Sequence, residues 1–417
     1  MDKIWIKGGK KLNGTVKVSG SKNAALPILF SSLLTDKKST FSNVPDLQDI
    51  RFTMKILETL DVHTESYENN KLILKGATNG SKEATYDLVR KMRASVLALG
   101  PLVARYGYGK VSLPGGCAIG ARPINFHLMG LQKLGAEIDL QDGYVIASCK
   151  KLKGTRIVFD FPSVGATENL MMAAVLAQGE TVLENVAREP EIVDLAKSLR
   201  SMGAKIEGEG HETILIQGVN SLCGASHSVM GDRIEAGTYL IAGLITGGKV
   251  TTEGLEREQL DAVLEKLKEM GAQVESSEDR LTVSAKLPLR SIDFQTQPFP
   301  GFPTDMQAQL MALLCTTEGS STVTETIFEN RFMHVPELQR MGADISTRGN
   351  IAVVKGVDML KGAQVMATDL RASACLILAA LRAEGETTVH RVYHLDRGYE
   401  KLEEKFKKIG ADIYRIE

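Results

Sequence analysis

A glycine-rich segment surrounds one thiol of this chain and is its most reactive-looking stretch. Residues 114–123 have the sequence PGGCAIGARP, so Cys117 lies five residues before Arg122. Glycines accept positive φ angles and leave a sulfur atom unshielded. A nearby guanidinium favours the thiolate and lowers a cysteine pKa. The segment therefore predicts a reactive thiol on a loop beside an anion site. A plain loop with an idle thiol is the alternative, and this segment alone does not exclude it.

The composition limits the classes of protein to consider. The chain has 417 residues, 43% hydrophobic and 24% charged, which is typical of a globular protein with two or three domains. A net charge of −1 and only 5% aromatic residues argue against a nucleic-acid partner. No apolar run approaches the roughly 18 residues of a membrane-spanning helix, and the N-terminus has no signal-peptide core. We therefore expect a cytoplasmic protein without membrane insertion.

The five cysteines are widely scattered along the chain and form no C-x-x-C pair. No spacing of cysteine and histidine resembles a zinc site. These patterns predict reduced thiols and no metal.

A short Gly-Ala motif recurs at a nearly fixed period. Its glycines are 68, 68, 71 and 68 residues apart, at positions 135, 203, 271, 342 and 410, and residues 60–63 form a degenerate sixth copy. Such a period predicts repeated structural units. Each copy contains an extended segment, a helix of small residues, a strand, an amphipathic helix and two short strands. The sequence therefore predicts an α/β protein of six βαβαββ units, too many for one core, and hence two lobes of three.

Arginines precede the second helix in most copies, at Arg122, Arg188, Arg257, Arg331 and Arg397. A helix N-terminus carries free N–H groups and partial positive charge, and an adjacent guanidinium adds a bidentate donor for phosphate or carboxylate. Pairing with neighbouring acids is the alternative. We favour it for Arg257 and for Arg188, which has Glu189 and Glu191 nearby.

The starts of the first helices differ from copy to copy, which indicates functional specialisation. Asp305 lies at one of these starts, in the segment Pro303-Thr304-Asp305. A plain helix start capped by Thr or Asp explains the segment. A base positioned on a substrate hydroxyl explains it equally well, so both interpretations remain open.

Taken in order, these segments resemble the enolpyruvyl transferases, and in particular the members that act on UDP-N-acetylglucosamine. The matching stretches are 20–25, 92–95, 114–123, 187–191, 302–307, 328–334, 369–372 and 396–399. The resemblance implies two lobes, each an inside-out α/β barrel of three repeats, that meet at a cleft and close on substrate. One lobe is expected over 22–229, with the Cys117 lid loop, and the other over 1–21 and 230–417.

The activity that the resemblance implies needs no cofactor. The enolpyruvyl group of phosphoenolpyruvate moves to the 3′-hydroxyl of UDP-N-acetylglucosamine by addition and elimination, with release of phosphate, as the first committed step of peptidoglycan synthesis. Cys117 would protonate C3 of the enol and is able to add covalently at C2. Asp305 would take the hydroxyl proton. An epoxide of the fosfomycin type would alkylate Cys117.

The resemblance also implies the binding residues, and Lys22 and Arg397 join Cys117 and Asp305 in the catalytic set. The residues expected to bind phosphoenolpyruvate are Lys22, Asn23, Arg122 and Arg397. Those expected to bind the UDP-sugar are Asn23, Arg93, Arg122, Pro123, Ile124, Asn125, Phe126, Ser163, Val164, Asp305 and Ile327. Those expected to line the cleft are Arg331, Asp369 and Arg371. Several family members have lysine where this chain has Phe161-Pro162 and Gln48, which bears on how the diphosphate is held.

Three other functions are compatible with parts of the sequence. A sister transferase acting on shikimate 3-phosphate lacks a cysteine lid, so the Cys117 segment argues against it. A silent regulator that binds a UDP-sugar would not need Cys117, Lys22, Asp305 and Arg397 together. A cysteine hydrolase would need a histidine base. His127 is the closest histidine, but it lies on an amphipathic helix, and we interpret it as structural.

Overall fold

The computed structural model describes residues 2–84, 93–113 and 124–417, with the side chain of Arg93 left out. These residues form two compact units. One contains residues 2–19 and 231–417, and the other contains the described part of residues 20–230. The lobe boundaries expected from the sequence, at 21/22 and 229/230, stay a prediction. In the described part of the chain, no helix has the length and apolar character that crossing a membrane requires.

Helices and strands alternate along the chain. The α-helices are Lys22–Phe30, Gln48–Thr59, Leu99–Tyr106, Asn125–Lys133, Val164–Ala174, Pro190–Ser201, Arg233–Ile245, Asp261–Glu269, Gln307–Leu314, Val335–Arg340, Leu370–Arg382 and Leu402–Lys408. Short 3-10 helices are Ser31–Leu34, Arg93–Ala98, Arg257–Gln259, Thr304–Met306 and Val392–Arg397. The strands are β1 (Lys3–Lys7), β2 (Asn13–Lys17), β3 (Lys38–Ser42), β4 (His63–Glu68), β5 (Lys71–Lys75), β6 (Glu83–Ala84), β7 (Tyr108–Ser112), β8 (Glu137–Gln141), β9 (Tyr144–Ser148), β10 (Arg156–Val158), β11 (Glu180–Glu184), β12 (Lys205–Glu207), β13 (Thr213–Gln217), β14 (Ser226–Ser228), β15 (Lys249–Glu253), β16 (Gln273–Ser277), β17 (Arg280–Ser284), β18 (Phe294–Gln295), β19 (Ser320–Thr324), β20 (Asp344–Arg348), β21 (Ile351–Lys355), β22 (Gln364–Met366), β23 (Glu386–His390) and β24 (Asp412–Ile416).

The strands form six four-stranded sheets with one common topology. In the copy that begins with β10, that strand pairs in parallel with β11, β11 pairs antiparallel with β13, and β13 pairs antiparallel with β12. The first helix connects the parallel pair, as a parallel connection requires. The predicted α/β class and the six βαβαββ copies are confirmed. None of the six sheets closes on itself within the described residues.

Each unit is completed by strands from distant parts of the chain. β14 supplies the first strand of the sheet that contains β3, β5 and β4. In the other unit, β1 lies between β23 and β24, and β2 pairs in parallel with β15. The first repeat of each unit is therefore split in sequence, which explains why the chain passes twice between the units.

The first helix of each copy is almost fully buried, and the sheets lie outside it. Every residue of the helix Arg233–Ile245 is buried, and it packs against the helices Gln307–Leu314 and Leu370–Arg382 of the same unit. Small residues allow this approach: a Cβ atom at Gly237 would lie 2.7 Å from Met306 Cε. The strands alternate buried and exposed residues, as sheets with one face on a core do.

A buried polar network fixes the chain where it leaves the first unit. The Glu235 carboxylate accepts the Ser19 N–H at 2.7 Å and contacts the Lys405 ammonium. The Lys405 Nζ also donates to Ser19 Oγ at 2.7 Å, and the Asp232 N–H donates to the Ser19 carbonyl at 2.9 Å. Burial raises the pKa of Glu235 to about 7, although Lys405 and the Ser19 N–H oppose this effect and Asp232 adds to it.

This network makes stability depend on pH. The native state holds the Glu235 proton more tightly than the unfolded chain, in which the pKa has its ordinary value of 4.5. The contribution of Glu235 is therefore fully present below pH 4.5 and is lost as pH rises to about 7, with a fall on the order of 3 kcal/mol in the free energy of unfolding. We expect Glu235→Gln to flatten this fall in denaturant titrations at several pH values. Glu275→Gln, at an exposed position on β16, is the control. Equal slopes for wild type and Glu235→Gln would contradict this role.

Candidate active site

Asp305 is held by two buried arginines. It lies in the 3-10 turn Thr304–Met306, directly before the helix Gln307–Leu314. Arg331 Nη2 donates to its Oδ1 at 2.9 Å, and Arg371 Nη2 donates to its Oδ2 at 2.6 Å. The side chains of the arginines are 4% and 5% exposed, whereas that of Asp305 is 26% exposed. The carboxylate is thus held through both oxygens, and its role as a base stays a prediction.

The contacts of Arg371 extend the cluster. Burial by itself would lower the pKa of Arg371, but Asp305, Tyr399 and Asp232 together outweigh burial and raise it above its usual range. Asp369 caps the helix that carries Arg371, because its Oδ1 accepts the N–H of Arg371 at 2.8 Å and that of Ala372 at 3.1 Å. The Tyr399 ring lies 5.9 Å from the Arg371 guanidinium. The predicted residues Asp305, Arg331, Asp369 and Arg371 thus form one connected cluster.

Ile327, predicted to contact the sugar, lies in the loop that follows β19. Its N–H donates to Glu325 Oε1 at 2.8 Å. Glu325 is a buried carboxylate that the sequence analysis did not select. Its position directly after a buried strand was the only signal available.

Arg397 ends the 3-10 helix Val392–Arg397 and is partly buried. Burial lowers the pKa of His394, and the positive charge of Arg397 lowers it further. The neighbouring Asp396 is engaged elsewhere, because its two oxygens accept from Arg415 at 2.6 and 3.1 Å.

Lys22 and Asn23 begin the helix Lys22–Phe30 in the other unit. Ser21 caps this helix by accepting the Ala24 N–H at 3.3 Å. The Lys22 ammonium lies 3.4 Å from the buried Asp49 carboxylate. Gln48 is exposed and adjoins Asp49 at the start of the next helix.

The remaining described candidates of this unit lie at two other helix starts. Ser163 caps the helix Val164–Ala174 by accepting the Ala166 N–H at 3.4 Å. Ile124 precedes the helix Asn125–Lys133, and the Phe126 ring packs edge-on against Phe159 with 6.1 Å between centroids. Phe161 is 44% exposed. Arg93 begins a 3-10 helix, while Cys117, Arg122 and Pro123 lie outside the described residues.

His127 is buried beside Asn169, whose Nδ2 lies 2.9 Å from its Nδ1. The Asn169 Oδ1 in turn accepts the Gly100 N–H at 2.8 Å. These contacts tie three segments of the core together, which is the role of a structural histidine.

Two of the arginines at helix starts pair with acids on the protein surface. Arg257 contacts Asp261 at 2.9 Å and Glu265 at 3.1 Å, which confirms the alternative favoured for it. Arg188 lies 3.7 Å from Glu212. Proximity in sequence predicts Glu189 or Glu191 as the partner of Arg188. The acid that the fold brings to Arg188 is Glu212 instead.

Comparisons with known proteins place this architecture among the transferases built from βαβαββ repeats. A family model described as EPSP synthase (3-phosphoshikimate 1-carboxyvinyltransferase) matches residues 6–406. The chain belongs to this family of enolpyruvyl transferases.

Relatives and solved structures extend the comparison. The chain is 57% identical over all of its length and all of the relative's to a protein of Geotalea uraniireducens named UDP-N-acetylglucosamine 1-carboxyvinyltransferase. It is 58% identical to a protein of the same name from Trichlorobacter lovleyi, over 100% of this chain and 99% of the relative. The enolpyruvyl transferase NikO from Streptomyces tendae has a TM-score of 0.88 and 26% identity, with 99% of this chain and 98% of that chain covered. EPSP synthase from Acinetobacter baumannii shares the fold, with a TM-score of 0.78, 19% identity and both chains covered completely.

The cluster around Asp305 should show strong energetic coupling. Asp305→Asn leaves two buried guanidinium groups with a neutral partner, so we expect a loss of roughly 2 kcal/mol in the free energy of unfolding. Adding Arg371→Met should cost less than the sum of the single changes, with a coupling of about 1 kcal/mol or more in denaturant titrations. The exposed pair Asp261→Asn and Arg257→Met is the control and should couple by less than about 0.5 kcal/mol. Additive effects at Asp305 and Arg371 would contradict the cluster.

Proposed function

We propose that this protein transfers the enolpyruvyl group of phosphoenolpyruvate to the 3′-hydroxyl of UDP-N-acetylglucosamine and releases phosphate. Among the geometric observations, the oriented Asp305 carboxylate carries this proposal, because a transfer to a hydroxyl needs a group that takes its proton. The identity of 57–58% to complete relatives of that printed name supports the choice of acceptor. The reaction is a step of peptidoglycan synthesis and takes place in the cytoplasm.

Asp305 takes the proton of the 3′-hydroxyl as that oxygen forms a bond to C2 of phosphoenolpyruvate. Each carboxylate oxygen has further lone pairs beyond the one that accepts from its arginine. Arg331 and Arg371 fix the carboxylate before the substrate arrives, so that little reorganisation is needed during the reaction.

The reaction also needs an acid that protonates C3, the carbon double-bonded to C2 in phosphoenolpyruvate. Cys117 donates a proton to C3 while the C2–O bond forms, which gives a tetrahedral intermediate. Loss of a C3 proton and cleavage of the C2–O bond to phosphate then yield the enolpyruvyl product. A thiol with a pKa near neutrality suits both directions of proton transfer.

Cationic groups bind the charged part of phosphoenolpyruvate in this proposal. Lys22, Arg122 and Arg397 bind its phosphate and carboxylate, and Asn23 contributes to both substrates. Lys22 lies at the first turn of a helix, where free N–H groups add to the attraction for anions. The UDP-sugar lies against the segments around Arg93, Ile124, Ser163 and Ile327.

Shikimate 3-phosphate is the competing acceptor, because the family model carries the name of the enzyme that uses it. Phosphate release from phosphoenolpyruvate distinguishes the two. We expect release with UDP-N-acetylglucosamine and none above background with shikimate 3-phosphate or without an acceptor. Cys117→Ala should lower the rate by about 100-fold or more while UDP-N-acetylglucosamine still binds, measured by calorimetry. A variant with nearly wild-type turnover would show that another group is the acid.

An epoxide of the fosfomycin type tests the reactivity of the same thiol. We expect one adduct in the intact mass and, after digestion, its location on Cys117. Cys223 is exposed and serves as an internal comparison that should stay unmodified. Burial raises the pKa of Cys315 to about 12 and makes it inert. An adduct that persists in Cys117→Ala, or no adduct on wild type, would contradict a reactive Cys117.

A further inference from the structure

Glu325 lies at the edge of a sheet where two parallel strands end. It follows β19 directly, and Thr296 follows β18 directly. These strands pair in parallel, with Phe294 opposite Val323 and Gln295 opposite Thr324. Because the carboxyl ends of parallel strands meet at one edge, the two loops that leave them are neighbours. These loops lead to Thr304 and to Ile327.

The equivalent position in other copies has a simpler role. Asn43, Asn185, Gly254 and Arg391 follow the second strands of their copies, and all four adopt positive φ. The side-chain amides of Asn43 and Asn185 donate to the carbonyls of Val229 and Phe159, which follow the first strands, at 2.8 and 2.7 Å. In the two copies with asparagine, this side chain links two strand ends.

Glu325 also links two strand ends, and in addition it accepts hydrogen bonds from two further segments. Its Oε1 accepts from Thr296 Oγ1 at 2.8 Å, which joins the two strand ends. The same oxygen accepts the N–H of Ile327 at 2.8 Å and that of Phe328 at 3.1 Å. Its Oε2 accepts from Thr304 Oγ1 at 2.9 Å. Glu325 is only 3% exposed, so all of these donors converge on a carboxylate within the protein.

The contacts close into a ring around the candidate base. Thr304 adjoins Asp305, whose Oδ1 accepts from Arg331 at 2.9 Å. The Arg331 guanidinium lies 5.3 Å from the ring of Phe328, whose N–H returns to Glu325. Glu325 therefore fixes, through neighbouring atoms, both the segment that carries Asp305 and the segment that carries Ile327.

We propose that Glu325 is a positioning residue for the acceptor substrate, holding the Asp305 carboxylate and the Ile327 backbone in register for the sugar. The inference rests on the proposed function, because it assigns the acceptor to these two segments. Glu325 acts through Thr304 and through two backbone N–H groups, not by touching the substrate.

Two threonines allow the positioning role to be separated from the strand link. Thr296 and Thr304 each donate one hydroxyl hydrogen bond to Glu325, at 2.8 and 2.9 Å. Thr296→Val removes the side-chain link to Glu325 and the acceptor of the Thr326 N–H, while the hydrogen bond from the Thr296 N–H to the Thr324 carbonyl remains. Thr304→Val removes the contact beside Asp305 and leaves that link in place. Both substitutions replace a hydroxyl by a methyl group, and only Thr304→Val removes the contact beside Asp305.

Steady-state kinetics with each substrate varied, together with thermal unfolding, provide the test. We expect Thr304→Val to raise the KM for UDP-N-acetylglucosamine or lower kcat by roughly tenfold in total, with the KM for phosphoenolpyruvate unchanged within about twofold. Thr296→Val should unfold at a lower temperature but keep wild-type kinetics. Glu325→Ala should show both losses. Glu325→Gln should restore much of the kinetics, because its amide oxygen still accepts the Ile327 and Phe328 N–H groups and its NH₂ group donates to Thr304.

The outcomes separate this inference from the proposed function. If wild type is active and Thr304→Val matches Thr296→Val in every kinetic constant, Glu325 is a strand link alone and the inference is wrong. An equal rise in KM for both substrates would overturn it as well. If wild type neither binds nor turns over UDP-N-acetylglucosamine, the proposed function fails, and the inference fails with it.

Discussion

Nearly complete burial of the first helix in each copy constrains where chemistry is possible in this fold. The helix Arg233–Ile245 has no exposed residue, and Leu370–Arg382 is buried along nearly all of its length. A functional side chain on the body of such a helix would face the core. Several helix starts and the loops that leave the neighbouring strands are accessible, and both lie at the carboxyl edge of the parallel strand pair. Lys22, Ser163, Asp305 and Asp369 all occupy such helix starts.

The charged groups around Asp305 are stabilised by ion pairs with one another more than by contact with solvent. Arg331 and Arg371 are buried, and each contributes one hydrogen bond to the same carboxylate. Buried ion pairs contribute little net stability, because desolvation offsets the attraction, whereas losing one partner is costly. The main effect of the two ion pairs is therefore to fix the orientation of the Asp305 carboxylate. The Asp305 carboxylate is held through both oxygens, while about a quarter of its side chain, 26%, stays exposed.

Much of the fold can be predicted from the sequence. The Gly-Ala repeat marks the end of each second helix, and the apolar patterns predict the helices and strands that lie between these repeats. The six sheets have the predicted order of elements. The contacts of the site are different. Asp305 meets Arg331 and Arg371 across 26 and 66 positions, and Arg188 meets Glu212 instead of the acids beside it. A repeat predicts which residues are equivalent, but which side chains meet depends on how neighbouring copies pack.

The position after the second strand shows how a comparison between the copies within one chain can identify a residue with an additional role. Where the turn only has to link two strand ends, an asparagine in the left-handed region is sufficient, as at Asn43 and Asn185. Glycine meets the same backbone requirement at Gly254, without a side chain. Glu325 does not adopt positive φ, and its longer side chain replaces the amide link with a carboxylate that collects donors from three segments. A structural repeat alone gives no reason for this departure. The departure occurs in the copy that carries Asp305, where both loops hold residues predicted to belong to the site, and it is the basis of the positioning role proposed for Glu325.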